Sequence, residues 1–194
     1  MKLIYATTNP YKLAGANHAL ADYDLELVAL DKNLPDVPEI QSDDQAEVAI
    51  DKARKYYELL RQPLVVMDSG LFVESLGGFP GVYTKYVIDT IGAAAVAKLA
   101  ADSGAARAYT QRTVVYFDGQ TPQIFTSKVH GKLINIPRGD NGAGYDLHFE
   151  VAQTGKTAAE MPDSEKAELA APVWRELAEW LTKPRGKLCR YTTN

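Results

Sequence analysis

Short apolar runs alternate with helix-forming segments over the first 67 residues, and this alternation constrains the fold more than any other feature. Residues 3–6, 25–30 and 64–67 predict buried strands, whereas residues 12–20 and 46–60 carry apolar side chains at helical spacing. Farther along, residues 112–117 and 123–129 predict strands joined by Asp118-Gly119, a hairpin dipeptide. Helices between the early strands and a hairpin between the later ones predict an α/β fold with a mixed sheet and flanking helices.

The rest of the chain divides into loops, two helices and a tail. Residues 77–85 and 137–144 predict glycine-rich loops, and residues 91–101 predict an alanine-rich helix. Residues 164–181 predict the last helix, with Ser164 as its cap and Pro184 beyond its end. We expect residues 1–182 to form a single domain and residues 183–194 to be a poorly anchored tail.

Composition excludes several classes of function. The net charge of −4 provides no basic field for a nucleic acid polymer. The single cysteine, Cys189, cannot form an internal disulfide, and no Cys/His cluster suits zinc. The N-terminal apolar run is too short for a signal peptide, and no run reaches membrane-spanning length. The sequence therefore predicts a cytoplasmic protein that binds neither nucleic acid polymer nor membrane.

Asp68 stands at the end of a predicted strand and is followed at once by Ser69 and Gly70. A carboxylate there, with glycine loops and lysines nearby, is typical of a metal and phosphate site. Asp-Ser-Gly is equally typical of an ordinary turn, in which Asp or Ser bonds its own backbone and Gly supplies a positive φ. The tripeptide alone leaves both interpretations open.

The loop after the first predicted strand contains Thr8 and Asn9 and leads to Lys12. Backbone N–H groups at a helix start favour an anion, and these side chains can add donors. The alternative is an Asn-Pro turn with a surface lysine.

Other charged residues allow both a chemical and a structural interpretation. Glu47, on a helix, and Asp68 would suit Mg²⁺, which takes one or two carboxylates and completes its shell with water and phosphate oxygens. Taken alone, Glu47 is more typical of an ordinary solvated helix residue. Lys156 follows a glycine and is either a phosphate ligand or a surface lysine. On a strand, Asp146 and His148 would share one face, as ligands or as packed residues.

Taken in order, these segments resemble the Ham1 or inosine triphosphatase family, which hydrolyses non-standard purine nucleoside triphosphates. The matching segments run through nearly the whole chain: Ala6-Thr7-Thr8-Asn9 with Lys12, Glu47 with Lys52-Ala53-Arg54, Asp68-Ser69-Gly70-Leu71, Leu76-Gly77-Gly78-Phe79-Pro80-Gly81-Val82-Tyr83, Pro137-Arg138-Gly139-Asp140-Asn141-Gly142-Ala143-Gly144-Tyr145-Asp146, Gly155-Lys156-Thr157-Ala158-Ala159-Glu160-Met161 and Glu165-Lys166.

The resemblance implies an elongated mixed sheet with two lobes around a central cleft, usually as a homodimer. It also implies Mg²⁺-dependent hydrolysis of a nucleoside triphosphate to the monophosphate and pyrophosphate. The implied catalytic residues are Asp68 and Lys52, and the implied metal ligands are Glu47 and Asp68. The residues implied to contact the substrate lie in four segments: Thr8, Asn9 and Lys12; Ser69, Gly70 and Gly81; Tyr145 and Asp146; and Lys156.

The chain departs from the family pattern at both ends of the implied site. Met67 replaces an acid before Asp68, and Val48 replaces an asparagine after Glu47. Ala143 replaces the aromatic that stacks on the purine, and residues 167–172 lack the family's Ser-His-Arg. We therefore expect altered base specificity. The alternatives are a catalytically weakened nucleotide-binding homologue and a pyrophosphatase for a different modified nucleotide.

Overall fold

The computed structural model describes residues 1–183, and a mixed sheet runs through them. Its strands are β1 (Lys2–Tyr5), β2 (Glu26–Ala29), β3 (Leu64–Val73), β4 (Pro80–Gly81), β5 (Arg107–Phe117), β6 (Gln123–Leu133) and β7 (Phe149–Val151). The helices are α1 (Pro10–Ala19), α2 (Gln45–Leu60), α3 (Thr84–Ile91), α4 (Ala93–Asp102) and α5 (Asp163–Thr182). None of these helices is long and apolar enough to cross a membrane.

The sheet has the order β2-β1-β3-β5-β6-β7, with β4 paired to β3. β1 is parallel to β2 and β3, whereas the other pairs are antiparallel. The helices α1 and α2 are therefore the crossovers of the parallel part of the sheet, because a parallel connection needs a crossover. β5 follows α3 and α4 in the chain but runs antiparallel to β3. The predicted mixed sheet with flanking helices is confirmed.

Three apolar clusters hold the helices on the sheet. On one face, the α5 cluster joins α1 and α5 to β1, β3, β5 and β6, with Trp174 edge-on to Tyr5 at a centroid distance of 5.1 Å. Farther along the same face, the α4 cluster joins α3 and α4 to Leu71, Val129 and Phe149. The α2 cluster lies on the opposite face, where Ala49 and Ala53 pack with Leu64 and Val66.

β3 is longer than the sequence indicates. It continues through Asp68, Ser69 and Gly70 to Val73, and each residue pairs in register with β5. The turn interpretation of Asp68-Ser69-Gly70 is therefore wrong. Gly70 is required for a different reason: a Cβ atom there would lie 2.5 Å from the carbonyl oxygen of Gly81 on β4.

Other element predictions need smaller corrections. Residues 80–81 of the predicted loop 77–85 form β4 and residues 84–85 begin α3, whereas the predicted helix 91–101 corresponds to α4. α3 and α4 are separated at Gly92, where φ is 82°. β5 begins at Arg107 rather than at residue 112, since its first half also pairs with β3 and β6. Ser164 lies inside α5, whose cap position is Pro162. The predictions for Pro184, Cys189 and most of the tail lie outside the described residues.

Candidate active site

The connections around β1 place a crevice at its carboxyl end. From β1 the chain passes to β2 through α1 and returns through α2 to β3 on the other side of β1, with the two helices on opposite faces. The carboxyl end of such a switch point is where open α/β sheets bind ligands. β1 pairs with β3 only at Leu64 and Val65, so the segment of β3 from Met67 onward borders this crevice.

Asp68 lies on this segment and is half-buried. Burial raises the pKa of its carboxyl group, and the charge of Glu39 acts in the same direction. Lys52, the Ser69 N–H and Lys12 oppose that shift. Within residues 1–183 Asp68 forms no ion pair, so its carboxylate has cations nearby but none bound to it.

Lys52 extends from α2 and is paired with Glu39, with only 18% of its side chain exposed. Glu39 belongs to the connector before α2, and Lys55 fixes that connector by donating to the carbonyl of Pro38 at 2.7 Å. Sequence reasoning missed Glu39 because nothing local shows that the connector folds back on the helix. Its place in the connector that leads into α2 was the available signal.

Lys12 reaches the same group of charges from α1. Burial lowers the pKa of its ammonium group, Lys52 and Arg112 lower it further, and Asp68 and Glu39 raise it. Asn9 caps α1, accepting from the N–H groups of Tyr11 at 2.9 Å and Lys12 at 3.3 Å. These two N–H groups are therefore already hydrogen-bonded within the chain, and Thr8 lies exposed in the loop.

The residue of α2 whose side chain reaches β3 next to Asp68 is Gln45 and not Glu47. The Gln45 side chain is buried against β3. When its amide group is oriented so that both the oxygen and the nitrogen have hydrogen-bond partners, the oxygen accepts from the N–H groups of Ser69 at 3.2 Å and Gly70 at 2.9 Å. Glu47 is exposed and accepts a hydrogen bond from the Ser42 hydroxyl at 2.8 Å. The structure thus brings Asp68, Lys52 and Lys12 together, but no described contact joins Glu47 to them.

Tyr145 and Asp146 lie on a 3₁₀ turn, Gly144–Leu147, between β6 and β7. Burial raises the pKa of Asp146, and the Ala143 N–H, Lys166 and Arg112 counteract part of that effect. The prediction that a strand places Asp146 and His148 on one face is wrong. His148 is buried after the turn, with its Nδ1 atom 2.8 Å from the carbonyl oxygen of Ile134.

Two other predicted substrate contacts lie in different surroundings. Lys156 is paired with Glu165 at 3.2 Å, and its charge does not contribute to the shifts at Asp68 or Lys12. Gly81 has a φ of 59°, and its carbonyl accepts from the buried Thr84 hydroxyl at 2.6 Å. Its observed contacts are those of a turn packed against Gly70, and its contact with substrate stays a prediction.

Of the four departures from the family pattern, those at Met67, Val48 and Ala143 differ in position. Met67 points to the sheet face opposite Asp68, where it packs against the α5 cluster. Val48 is a core residue with 4% exposure, and Ala143 is exposed beside Tyr145. An acid at Met67 would therefore have to leave the apolar side of β3 to reach Asp68.

Comparison with known proteins gives consistent matches over most of the chain. Residues 3–171 match the model of the Ham1 family. The chain is 39% identical over 183 residues to the dITP/XTP pyrophosphatase of Hyperthermus butylicus, a match covering 92% of this chain and 94% of that protein. It is also 39% identical to the dITP/XTP pyrophosphatase of Methanopyrus kandleri, with coverages of 93% and 96%. The structure of a HAM1 protein from Coxiella burnetii matches with a TM-score of 0.82 and 26% identity, over 94% of this chain and 98% of that one.

Proposed function

Since the chain belongs to the Ham1 family, we propose that it is a nucleoside triphosphate pyrophosphatase that releases the monophosphate and pyrophosphate. The observation that carries the proposal is the half-buried, unpaired carboxylate of Asp68 between Lys12 and Lys52 at the sheet's switch point. The two relatives with pyrophosphatase in their names support it.

The residues at this site suit phosphoanhydride hydrolysis. Asp68 accepts a proton from a water molecule as the water oxygen bonds to phosphorus, because burial makes this carboxylate more basic than usual. The bridging bond between the α- and β-phosphoryl groups breaks, and its electron pair leaves with pyrophosphate. Lys12 and Lys52 neutralise the negative charge on the phosphoryl oxygens.

We propose that the divalent metal is Mg²⁺. The carboxylates of the site can hold it only when the phosphate oxygens of the substrate complete its ligand shell. Across residues 1–183 no group of three or more His, Cys, Asp or Glu residues is placed to hold a metal alone. Mg²⁺ needs just one or two carboxylates when phosphate oxygens and water complete its shell. Asp68 would supply one carboxylate, with Glu47 or Glu39 as the second. The metal, when bound, would supply positive charge for the phosphoryl oxygens.

The base preference is proposed to differ from that implied by the family pattern. Ala143 offers no ring for stacking, and a base–aromatic stack contributes about 1–3 kcal/mol. Kinetic constants for inosine, xanthosine and the four standard triphosphates would test this. A preference matching that of relatives with the aromatic would contradict it.

Replacing Lys52 with methionine is expected to lower kcat/KM by about 10²- to 10³-fold and to change its pH dependence. The carboxylate form of Asp68 is lost as pH falls through its raised pKa. The acidic limb of the kcat/KM profile against pH therefore lies above 3.8, the ordinary pKa of an aspartate. Because Lys52 lowers that pKa, its removal moves the limb to higher pH. Kinetics from pH 4 to 9 measure the shift.

Lys98→Met is the matched control, since Lys98 also pairs with a carboxylate, that of Asp102, but lies on α4. It should leave both kcat/KM and the acidic limb unchanged. An acidic limb that stays in place in Lys52→Met would show that Lys52 does not act on Asp68.

A homodimer is the last part of the proposal. On the sheet face that carries α2, the far ends of β3 and β5 carry the half-buried, stacked rings of Phe72 and Tyr109, 5.0 Å apart, with Lys128 over Tyr109. We expect light scattering to give twice the chain mass of 21.3 kDa, and Tyr109→Glu to give the monomer. A monomeric wild type would contradict this.

A further inference from the structure

The stripe of α2 that packs on the sheet changes from apolar to polar at the first residue of the helix. Ala49 and Ala53 pack within the α2 cluster, and Gln45 continues the same line of residues at four-residue spacing. Gln45 is nearly as buried as they are, with 2% of its surface exposed. A buried amide needs hydrogen-bond partners for both its oxygen and its nitrogen, so its surroundings explain why an amide is placed there.

The amide oxygen of Gln45 faces a segment of β3 that has only one neighbouring strand. Among residues 1–183, β5 is the only strand that pairs with β3 at Ser69 and Gly70. Gln45 supplies a further acceptor to the N–H groups of both residues, at 3.2 and 2.9 Å. Farther along β3, the buried Thr84 hydroxyl likewise accepts from the Leu71 N–H at 2.7 Å. An apolar side chain in place of Gln45 would leave two backbone donors without this partner.

The amide nitrogen of Gln45 contacts β5 at the residue opposite Asp68. In the same orientation of the amide, the nitrogen donates to the Thr113 hydroxyl oxygen at 3.0 Å. Thr113 is fully buried and pairs in register with Asp68, so their side chains are direct neighbours on one face of the sheet. Gln45 therefore bonds to both strands around Asp68, to the residues that follow it on β3 and to the residue opposite it on β5.

These bonds also attach the start of α2 to the sheet. The α2 cluster holds the middle of the helix, where Ala49 and Ala53 pack with Leu64 and Val66. Lys52 lies seven residues after Gln45, nearly two helical turns, so both side chains extend toward the same side of α2. The position of this ammonium group relative to β3 therefore depends on how the start of the helix is held.

We infer that Gln45 is a positioning residue that holds the reactive segment of β3 against the start of α2. It acts through Asp68, whose carboxylate it keeps directed into the crevice. It does not contact substrate, because protein groups occupy both ends of its amide. The inference rests on the proposed function for the reaction that Asp68 carries out.

Gln45→Met is expected to lower kcat for dITP by about 10- to 100-fold, because a small displacement of a reacting group is costly. KM should change by less than about threefold, since no substrate contact is removed. Methionine has nearly the same length as glutamine but cannot replace either end of the amide. Circular dichroism shows whether the variant is folded at the assay temperature, and steady-state pyrophosphate release gives kcat and KM.

Hydrogen exchange tests the bonds themselves and needs no substrate. The amides of Ser69 and Gly70 should exchange faster in Gln45→Met than in the wild type, by about tenfold or more, when followed by NMR. Leu64, which is paired with both β1 and β5, is the internal reference and should not change. Unchanged exchange at Ser69 and Gly70 would overturn the inference.

Gln123→Met is the matched control. The Gln123 amide also donates to a backbone carbonyl, that of Thr121 at 3.3 Å, but it lies at the hairpin between β5 and β6. This variant should keep the kcat and the exchange rates of the wild type. A folded Gln45→Met with the kcat of the wild type, or with a loss confined to KM, would overturn the inference and give Gln45 a structural or substrate-binding role.

Thr113→Val provides the test if Gln45→Met does not fold. It removes the acceptor on β5 but keeps nearly the same side-chain shape, and it should lower kcat by about three- to tenfold with KM unchanged. A kcat equal to that of the wild type would overturn the inference.

Failure of the proposed function would give a different result. If the wild type releases pyrophosphate from no triphosphate, the proposed reaction is wrong and hydrogen exchange alone decides the role of Gln45. Faster exchange at Ser69 and Gly70 in Gln45→Met then supports the positioning of β3 by this side chain, whereas unchanged exchange overturns it.

Discussion

Asp68→Asn should reduce pyrophosphate release by about 10²- to 10⁴-fold, the usual contribution of a general base. Asparagine has nearly the same shape but cannot accept the proton from water, so the backbone pairing of β3 with β5 should persist. Steady-state assays of pyrophosphate release measure the loss. Asp43→Asn, at an exposed connector residue, is the control and should keep full activity.

The same substitution should stabilise the folded protein at neutral pH. Burial raises the pKa of Asp68 above its unfolded value, so the folded state binds more protons between these two pKa values. The free energy of unfolding therefore falls as pH rises through that window, and the ionised carboxylate lowers stability at pH 7. Thermal unfolding of Asp68→Asn should show a higher Tm at pH 7 and a smaller difference from wild type at pH 4.

Two outcomes would contradict this assignment. Full turnover in Asp68→Asn would remove Asp68 from catalysis. Lost turnover accompanied by a lower Tm would show that the substitution damages the fold instead of the chemistry.

Gly139→Ala should cause the second large effect, on the segment that carries Tyr145 and Asp146. Gly139 has a φ of 82°, and a Cβ atom there would lie 2.3 Å from the carbonyl carbon of Ala159. The segment is also fixed by Asn141, whose backbone N–H donates to the carbonyl of Ala159 at 3.0 Å. Forcing these backbones apart should cost about 1–3 kcal/mol of stability.

In kinetics, Gly139→Ala should raise KM more than it lowers kcat, because it moves the base side of the site and leaves Asp68 in place. Urea unfolding and kinetics with dITP measure the two effects. Gly155→Ala is the control: its φ is 67°, but no atom lies within 4 Å of the added Cβ, so it isolates the cost of the backbone angle. Equal effects of the two substitutions would rule out the predicted contact with Ala159.

The parts of the fold that follow local patterns could be predicted from the sequence. α2 carries a stripe of apolar residues at helical spacing, so its position and buried face were recognisable. α3 was missed because the glycines before it favour a loop and its polar residues hide the pattern. The turn at Asp68-Ser69-Gly70 was a local preference that pairing with β5 overrides.

The candidate site could be predicted only in part, for a related reason. Asp68, Lys12 and Lys52 were identified through motifs and are close enough to influence one another. Glu39, Gln45 and Arg112 were not, because their positions depend on how the connector folds and which residues pair across β3 and β5. Strand register is set by the whole sheet, and no single segment reveals it.

If Asp68 acts as proposed, hydrolysis depends on which residues of β3 face the crevice. Met67 and Asp68 are neighbours in the chain but face opposite sides of the sheet. Inserting or deleting one residue just before them would exchange their environments, placing a thioether in the crevice and a carboxylate among the aromatic rings of the α5 cluster. The strand would keep its length and its hydrogen-bonded partners, but the carboxylate would no longer face the crevice. On the proposed role of Asp68, a shift of one residue along this strand would be enough to abolish the reaction.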